Sequence, residues 1–427
     1  MMRVIVLFFL IIGLSFLGNR TGVFADQTLQ SRIDSTAEGD TLFLKKGVYH
    51  EAIVLEKPIV LVGEKGVTFQ SCSTEPIITV TGQEVSLKGI TIVSCPKDES
   101  PAAISVSGQN HVLEDITINT PILGIQFDNT EKAIVRDLNI SGQSSKNGID
   151  LWQSHSNYFE GIRMNHVEDG FYMENSHNNT FIGNTIQNSR YGFHIMFSDH
   201  ISMISNISKQ NITGAMIMGT QDSLIEENKF TDNNENVNSQ GLLLYDVHAS
   251  IIRKNILSTN RVGMYMEGST DNEISSNHIT ANFIGAQITK IENNRITNNS
   301  FTSNVNEIQA NEETNNNIEN NYWDAPLKLD TDGDGKSNIR YRADPFFLNL
   351  TEDVPAYQLF FQHPGMVLLQ KMLKSPEHLL VADEVPLMQN HINAQVKQKN
   401  NQSVAWIVSM IMIFSSLLCI YFGRKKI

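Results

Sequence analysis

The chain has 427 residues and a formal net charge of −14, from 46 acidic and 32 basic side chains. That length supports a large core or two domains. The acidic balance argues against nucleic acid as a partner, since phosphate binding needs clustered Lys and Arg, and reads otherwise as plain solubility.

Residues 1–25 read as an export signal: Arg3 precedes an apolar run from Val4 to Leu17, and Val23 and Ala25 stand where a signal peptidase reads. An uncleaved anchor is the alternative, and either reading puts the body of the chain outside the cytoplasm. From Gly39 to Ile118 come short β-branched or aromatic runs, each closed by Gly, Pro or a charge, which read as strands of a few residues with turns between them. Cys72 and Cys95 are 23 residues apart, about one period of the repeat in the centre of the chain. In an oxidising compartment they are expected to pair as a disulfide, with two buried thiols as the other option.

The central repeat has two ladders. Gly148, Gly170, Gly192, Gly214, Gly241, Gly263 and Gly285 each open an alternating run, at spacings of 22, 22, 22, 27, 22 and 22 residues, and Gly124 starts the series. A second ladder, apolar-x-x-Asn-x-apolar, keeps the same beat with Asn at 184, 206, 228, 255, 277, 299 and 321, broken only at Ser208. Both ladders skip five residues between Asn228 and Gly241, so one insertion lies in Thr231–Gln240. A coil of about 22 residues cannot bury its own apolar face, and stacking in parallel on its neighbours solves this. The expectation is an all-β chain whose residues 26–324 form a parallel β-helix. Positions one and three after each Gly, from Ile149 and Leu151 to Ala286 and Ile288, are apolar and should face inward. The ladder Asn are expected at turns, where Asn tolerates a left-handed backbone and bonds neighbouring amides.

After Trp323 the composition changes. Residues 325–402 are expected to hold an acidic loop, a C-terminal helical segment (Ala356–Phe361 and Gly365–Leu373) and a polar linker. Residues 403–423 read as a transmembrane helix. Its apolar stretch Val404–Phe422 is uncharged and rises about 28 Å as a helix, and Cys419 within it is an apolar filler. Arg424, Lys425 and Lys426 come next, which assigns 424–427 to the cytoplasm and the body to the outside.

Positions two and four after each Gly should face outward and be polar. In the middle they are His194, Met196, Met216 and Met218, on two adjacent coils. Imidazole and thioether are ligands of soft metals, and thioether suits Cu(I). The competing reading is a Met-lined surface that packs on a partner. Met164 and Met203 lie on nearby turns with unreadable facing. Asp330, Asp332, Asp334 and Asn338 have the spacing of a calcium loop that bends at Gly335, although position 12 is Tyr341 rather than an acid and Asp344 would have to substitute. An acidic turn is the alternative. For catalysis the candidates are Asp150, Glu174, His155, His166 and His177. The outward ladder has no Lys or Arg and no nucleophile–base constellation, so the chain is expected not to be an enzyme.

The segment Arg190-Tyr191-Gly192-Phe193-His194-Ile195-Met196 resembles the Arg-Tyr-Gly-apolar-His-x-Met motif of the NosD family. Similar too are Gly241–Asp246, Asn260–Gly268, Asn321–Trp323 with the Asp-Gly-Asp segment after it, the opening Gly39–Leu42 with Gly47–Tyr49, and Ala382–Met388. The resemblance covers about residues 26–390. It implies a right-handed β-helix that serves, outside the cytoplasm, in assembly of the copper–sulfide centre of nitrous oxide reductase. Implied partners are a membrane ABC transporter (permease and ATPase), the reductase and a copper chaperone, with His194, Met196, Met216 and Met218 as transient copper contacts. The span Val404–Phe422 departs from many NosD-like chains and points to a membrane-held version. A carbohydrate-active β-helix enzyme, a polysaccharide lyase or epimerase, is the second functional reading, and a structural or adhesive surface protein is the third.

Overall fold

A computed structural model describes residues 28–343, apart from 73, 96–101, 312–314, 325 and 326, together with 380–390 and a few single positions between. The fold is a parallel β-solenoid of about 12 coils. One side is a 12-stranded sheet running from Ile53–Leu55 to Asn306–Asn311, and two further strands per coil join into a 24-stranded sheet. Every rung of both sheets is parallel, and each strand pairs with its counterpart one coil on, as in Ile149↔Phe171, Phe171↔Phe193 and Phe193↔Ala215.

The inward positions are all buried, from Ile149 at 0% exposure to Met264 and Ala286 at 3%. Rings stack along the axis, Phe171 on Phe193 at 5.3 Å and Phe159 on Phe181 at 5.2 Å. The glycine ladder has a steric cause. A Cβ on Gly214 would lie 2.4 Å from the Gly241 carbonyl oxygen, and one on Gly263 would lie 2.5 Å from that of Gly285 and 2.9 Å from the Asn282 amide nitrogen. No side chain fits between coils at that corner.

The Asn ladder is buried and continuous. Asn206 donates its backbone N–H and side-chain NH2 to Asn228 Oδ1, both at 2.9 Å, and its NH2 to the Phe181 carbonyl. The same set recurs at Asn228, Asn255, Asn277 and Asn299. The left-handed residue is not the ladder Asn but the one before it: Gly183, Ser205, Glu227, Lys254, Ser276, Asn298 and Asn320 all have φ between 55° and 62°. The preceding residue turns the corner, and the Asn then spends its whole amide on bridging coils. Ser208, which breaks the apolar pattern, donates its hydroxyl to the Gly214 carbonyl at 2.7 Å.

Both ends are closed. The helix Leu29–Ser35, N-capped by Thr28, lays Leu29 and Ile33 over the first coils. At the other end Tyr341–Ala343 pairs antiparallel with Val381–Asp383, and Tyr341 stacks on Trp323 at 4.1 Å. Cys72 and Cys95 form the expected disulfide between neighbouring coils. Among the described residues no helix is long and apolar enough to cross a membrane. The expected transmembrane helix 403–423, the tail 424–427 and the signal 1–25 lie outside the described residues, and Ala356–Phe361 and Gly365–Leu373 largely do. Val381–Asp383, after those stretches, is a strand.

Candidate functional site

The 12-stranded sheet presents its outward side chains in two columns. Strands Tyr191–Met196 and Thr213–Gln221 pair so that His194 faces Met216 and Met196 faces Met218. The four predicted soft ligands are thus nearest neighbours. Tyr172 and Glu174 lie on the rung before, Leu243 and Tyr245 on the rung after. The two other methionines do not join them: Met164 is 1% and Met203 0% exposed, because both sit at inward positions of the other sheet.

His194 is held on three sides. Its Nδ1 lies 2.8 Å from Asp169 Oδ2, and the Tyr172 and Tyr191 rings meet it edge-on at 5.1 and 4.8 Å. Asp169 is fully buried and also accepts from Arg190, Nε to Oδ1 at 2.8 Å and Nη2 to Oδ2 at 2.7 Å. Burial alone would raise the Asp169 pKa. The hydrogen bonds from His194 and Arg190, with the Arg190 charge, outweigh it and hold the carboxyl below the usual range. The same carboxylate drives the Arg190 guanidinium upward, and Glu168 adds an ion pair at 3.3 Å. An ionised Asp169 can only accept, so His194 donates from Nδ1 and Nε2 is the ring nitrogen left for a ligand. That is the carboxylate–histidine arrangement that orients imidazole ligands of metals. Sequence reasoning misses Asp169, and it meets Arg190 only as the first residue of the resembling motif, with no role given to it. The only signal of Asp169 is a charge just ahead of a ladder glycine, where the outward pattern has not begun.

The acid/base candidates do not converge. Asp150 is outward, accepts from Asn147 Nδ2 at 2.8 Å, and is pushed up to about 6 by burial, beside the Trp152–Tyr172 ring pair at 5.4 Å. Glu174 accepts from the Tyr172 hydroxyl at 2.9 Å, and burial together with that carboxylate pushes the phenol up to about 12. His155 and His177 stack at 5.3 Å on the corner after this sheet, each accepting a backbone N–H at Nδ1. His166 lies on the opposite corner, in a groove with Glu168, Arg190 and Glu235.

In the acidic loop, carboxylate oxygens of Asp330, Asp332 and Asp334 come within 4.8 Å of one another. Asp330 accepts from the Gly333 and Gly335 amides, which lowers its pKa. Asn338 does not join, since its Oδ1 accepts from Thr331 N and Oγ1 at 2.7 and 2.6 Å. Tyr341, at position 12, is stacked on Trp323, and Asp344 lies outside the described residues. Three of the expected ligands therefore come together and the fourth is committed elsewhere.

Among solved structures the fold is similar to the A-module of the Azotobacter vinelandii mannuronan C-5 epimerase AlgE6 (TM-score 0.51, 12% identity, 69% of this chain and 87% of that one). It is also similar to the periplasmic alginate epimerase AlgG (TM-score 0.52, 11% identity, 68% and 82%) and to PfbA, a surface adhesin of Streptococcus pneumoniae (TM-score 0.52, 14% identity, 66% and 88%). At these identities the likeness fixes the fold alone. It corrects the expectation that the chain is not an enzyme: two of the three are epimerases, so this architecture is one that carries catalysis in other proteins. None of the curated proteins compared with the chain matches it. Residues 128–335, which contain the whole His194–Met218 neighbourhood, match the model of the family described as periplasmic copper-binding protein (NosD), and over that stretch the chain is NosD-like.

Proposed function

We propose that this protein works outside the cytoplasm in the assembly of a copper enzyme, namely in building the copper–sulfide centre of nitrous oxide reductase. It would act with a membrane ABC transporter, a copper chaperone and the reductase, held to the membrane by residues 403–423. Cu(I) is the cargo, touched in passing by His194, Met196, Met216 and Met218. The observation that carries this reading is the register itself. It sets one imidazole and three thioethers on adjacent rungs, and Asp169 engages Nδ1 of His194 and leaves Nε2 for a ligand. Thioether and neutral imidazole retain Cu(I) and reject hard cations. Deleting the gene in a nitrous-oxide-reducing host tests it. The reductase is expected to accumulate without its copper–sulfide centre, and a reductase with a full centre would end the proposal.

A second reading has one observation behind it. Asp150, raised to about 6 beside Trp152 and Tyr172, is an acid/base group next to aromatic faces, as work on a saccharide needs. Solvent-hydrogen exchange at C5 of polymannuronate, lost in Asp150→Asn, would support it, and no exchange in the wild type would dispose of it. The proposal also includes a structural calcium ion at Asp330, Asp332 and Asp334. Chelation by EGTA should then lower the melting temperature of the wild type and leave Asp332→Asn unmoved; equal curves would remove the ion.

A further inference from the structure

On an outward sheet face, apolar side chains need a reason. Here they cluster. Met196, Met216, Met218 and Leu243 occupy consecutive rungs, Tyr245 is 43% exposed, and Phe197, at the end of its strand, is 54% exposed with its ring over Gly219. The patch is bracketed by two copies of one polar device. On the rung before His194, Tyr172 donates its hydroxyl to Glu174 Oε2 at 2.9 Å, and on the rung after Tyr245, Tyr265 donates to Glu267 Oε2 at 2.6 Å. In each pair the phenol fixes one carboxylate oxygen and leaves the other for an incoming donor. The two brackets are four rungs apart, or about 19 Å at the usual strand spacing. No Lys or Arg stands in either outward column between them.

An apolar centre with a charged, hydrogen-bonding rim is the anatomy of a protein–protein interface, and a rim of one sign selects its opposite. We infer that the face from Tyr172 to Glu267 docks a partner protein through a segment whose middle is apolar and whose two Lys or Arg side chains, about 19 Å apart, meet Glu174 and Glu267. This names the partner's chemistry at the site of the proposed copper contacts, and takes from that reading only its location. Copper need not be present for the surface to work.

The test uses the full chain in detergent, with a Cu(I) chelator present, and three synthetic peptides that share one Met/Leu centre and differ only in flanks: Lys, Gln or Glu. Fluorescence anisotropy should show the Lys-flanked peptide binding at least about tenfold tighter than the Glu-flanked one. The double variant Glu174→Gln, Glu267→Gln should erase that preference. Met216→Ala with Met218→Ala should weaken the Lys- and Gln-flanked peptides by the same factor. Asp271→Asn with Glu227→Gln, which removes as much charge away from this face, should change nothing. A preference that survives Glu174→Gln, Glu267→Gln, or that falls equally in the remote variant, overturns the inference as mere attraction to an acidic chain. A peptide result of either kind leaves Cu(I) affinity to its own measurement, so failure of the one is told apart from failure of the other.

Discussion

Asp169 is fully buried yet charged, and it can be both because three charge-assisted hydrogen bonds replace its water. Changing Asp169→Asn keeps the shape but removes the charge, and leaves both Arg190 and His194 facing an amide. Arg190 is half-exposed and can turn to water, so the expected loss is at the low end for a broken buried pair, about 2–3 kcal/mol, read from denaturant unfolding. The pH dependence has a definite sign. The folded-state pKa of Asp169 lies below its ordinary value of 3.8. Its contribution is therefore fully present above about pH 4 and is lost as pH falls through the folded value. The gap between wild type and Asp169→Asn should close in acid; a constant gap would mean that packing, not charge, is what the variant removes. His194 and the methionines were legible because period-two alternation marks outward positions and the soft residues break it. Asp169 was not, nor was its pairing with Arg190, because both depend on how a corner folds back on the next strand.

At the scale of the coil, the asparagine ladder is a chain of amides pointing one way: every Asn donates N–H and NH2 toward the C-terminal end and to a carbonyl of an earlier coil. Asn255→Ala would strip Asn228 of the acceptor for two donors and leave the Ile225 carbonyl and Asn277 Oδ1 short of one. Several buried groups losing partners together should cost about 3 kcal/mol or more; a melting temperature within a degree of wild type would contradict this. This ladder was readable from its apolar frame. A second, Asn211-Asn233-Asn260-Asn282-Asn304, keeps the same beat and the same bonds, but no alternating apolar residues flag it. A third changes residue type along its length, Ser223 and Ser250 giving way to Asn272 and Asn294, so no count of one residue finds it. What these columns share is a place where a turn amide needs an oxygen, which Ser or Asn supplies.

Across the whole molecule, a one-directional ladder leaves its last donors without a successor. Asn321 is that end, and Asp383, 62 residues on, closes it. Its Oδ2 accepts from Asn321 N at 3.0 Å, Asn321 Nδ2 at 3.1 Å and Trp323 Nε1 at 2.9 Å. The change of composition after Trp323 announced that the stack stops. It could not announce Asp383, since a contact over that distance follows no period. Asp383→Ala should speed amide hydrogen exchange in the last coils, around Ile296–Trp323, and leave Ile53–Val80 at wild-type rates, because coils couple to their neighbours only. Uniform acceleration would mean the solenoid opens as one unit. The stiff stack in turn fixes the outward columns, and with them the claim that His194, Met196, Met216 and Met218 act together on Cu(I). The most direct measurement is a Cu(I) competition titration against a chromophoric chelator, with the full chain in detergent. One equivalent should be withdrawn by the wild type, and Met216→Ala with Met218→Ala should weaken it by about tenfold or more, with His194→Ala adding to the loss. Unchanged withdrawal in both variants, or none by the wild type, would contradict the account.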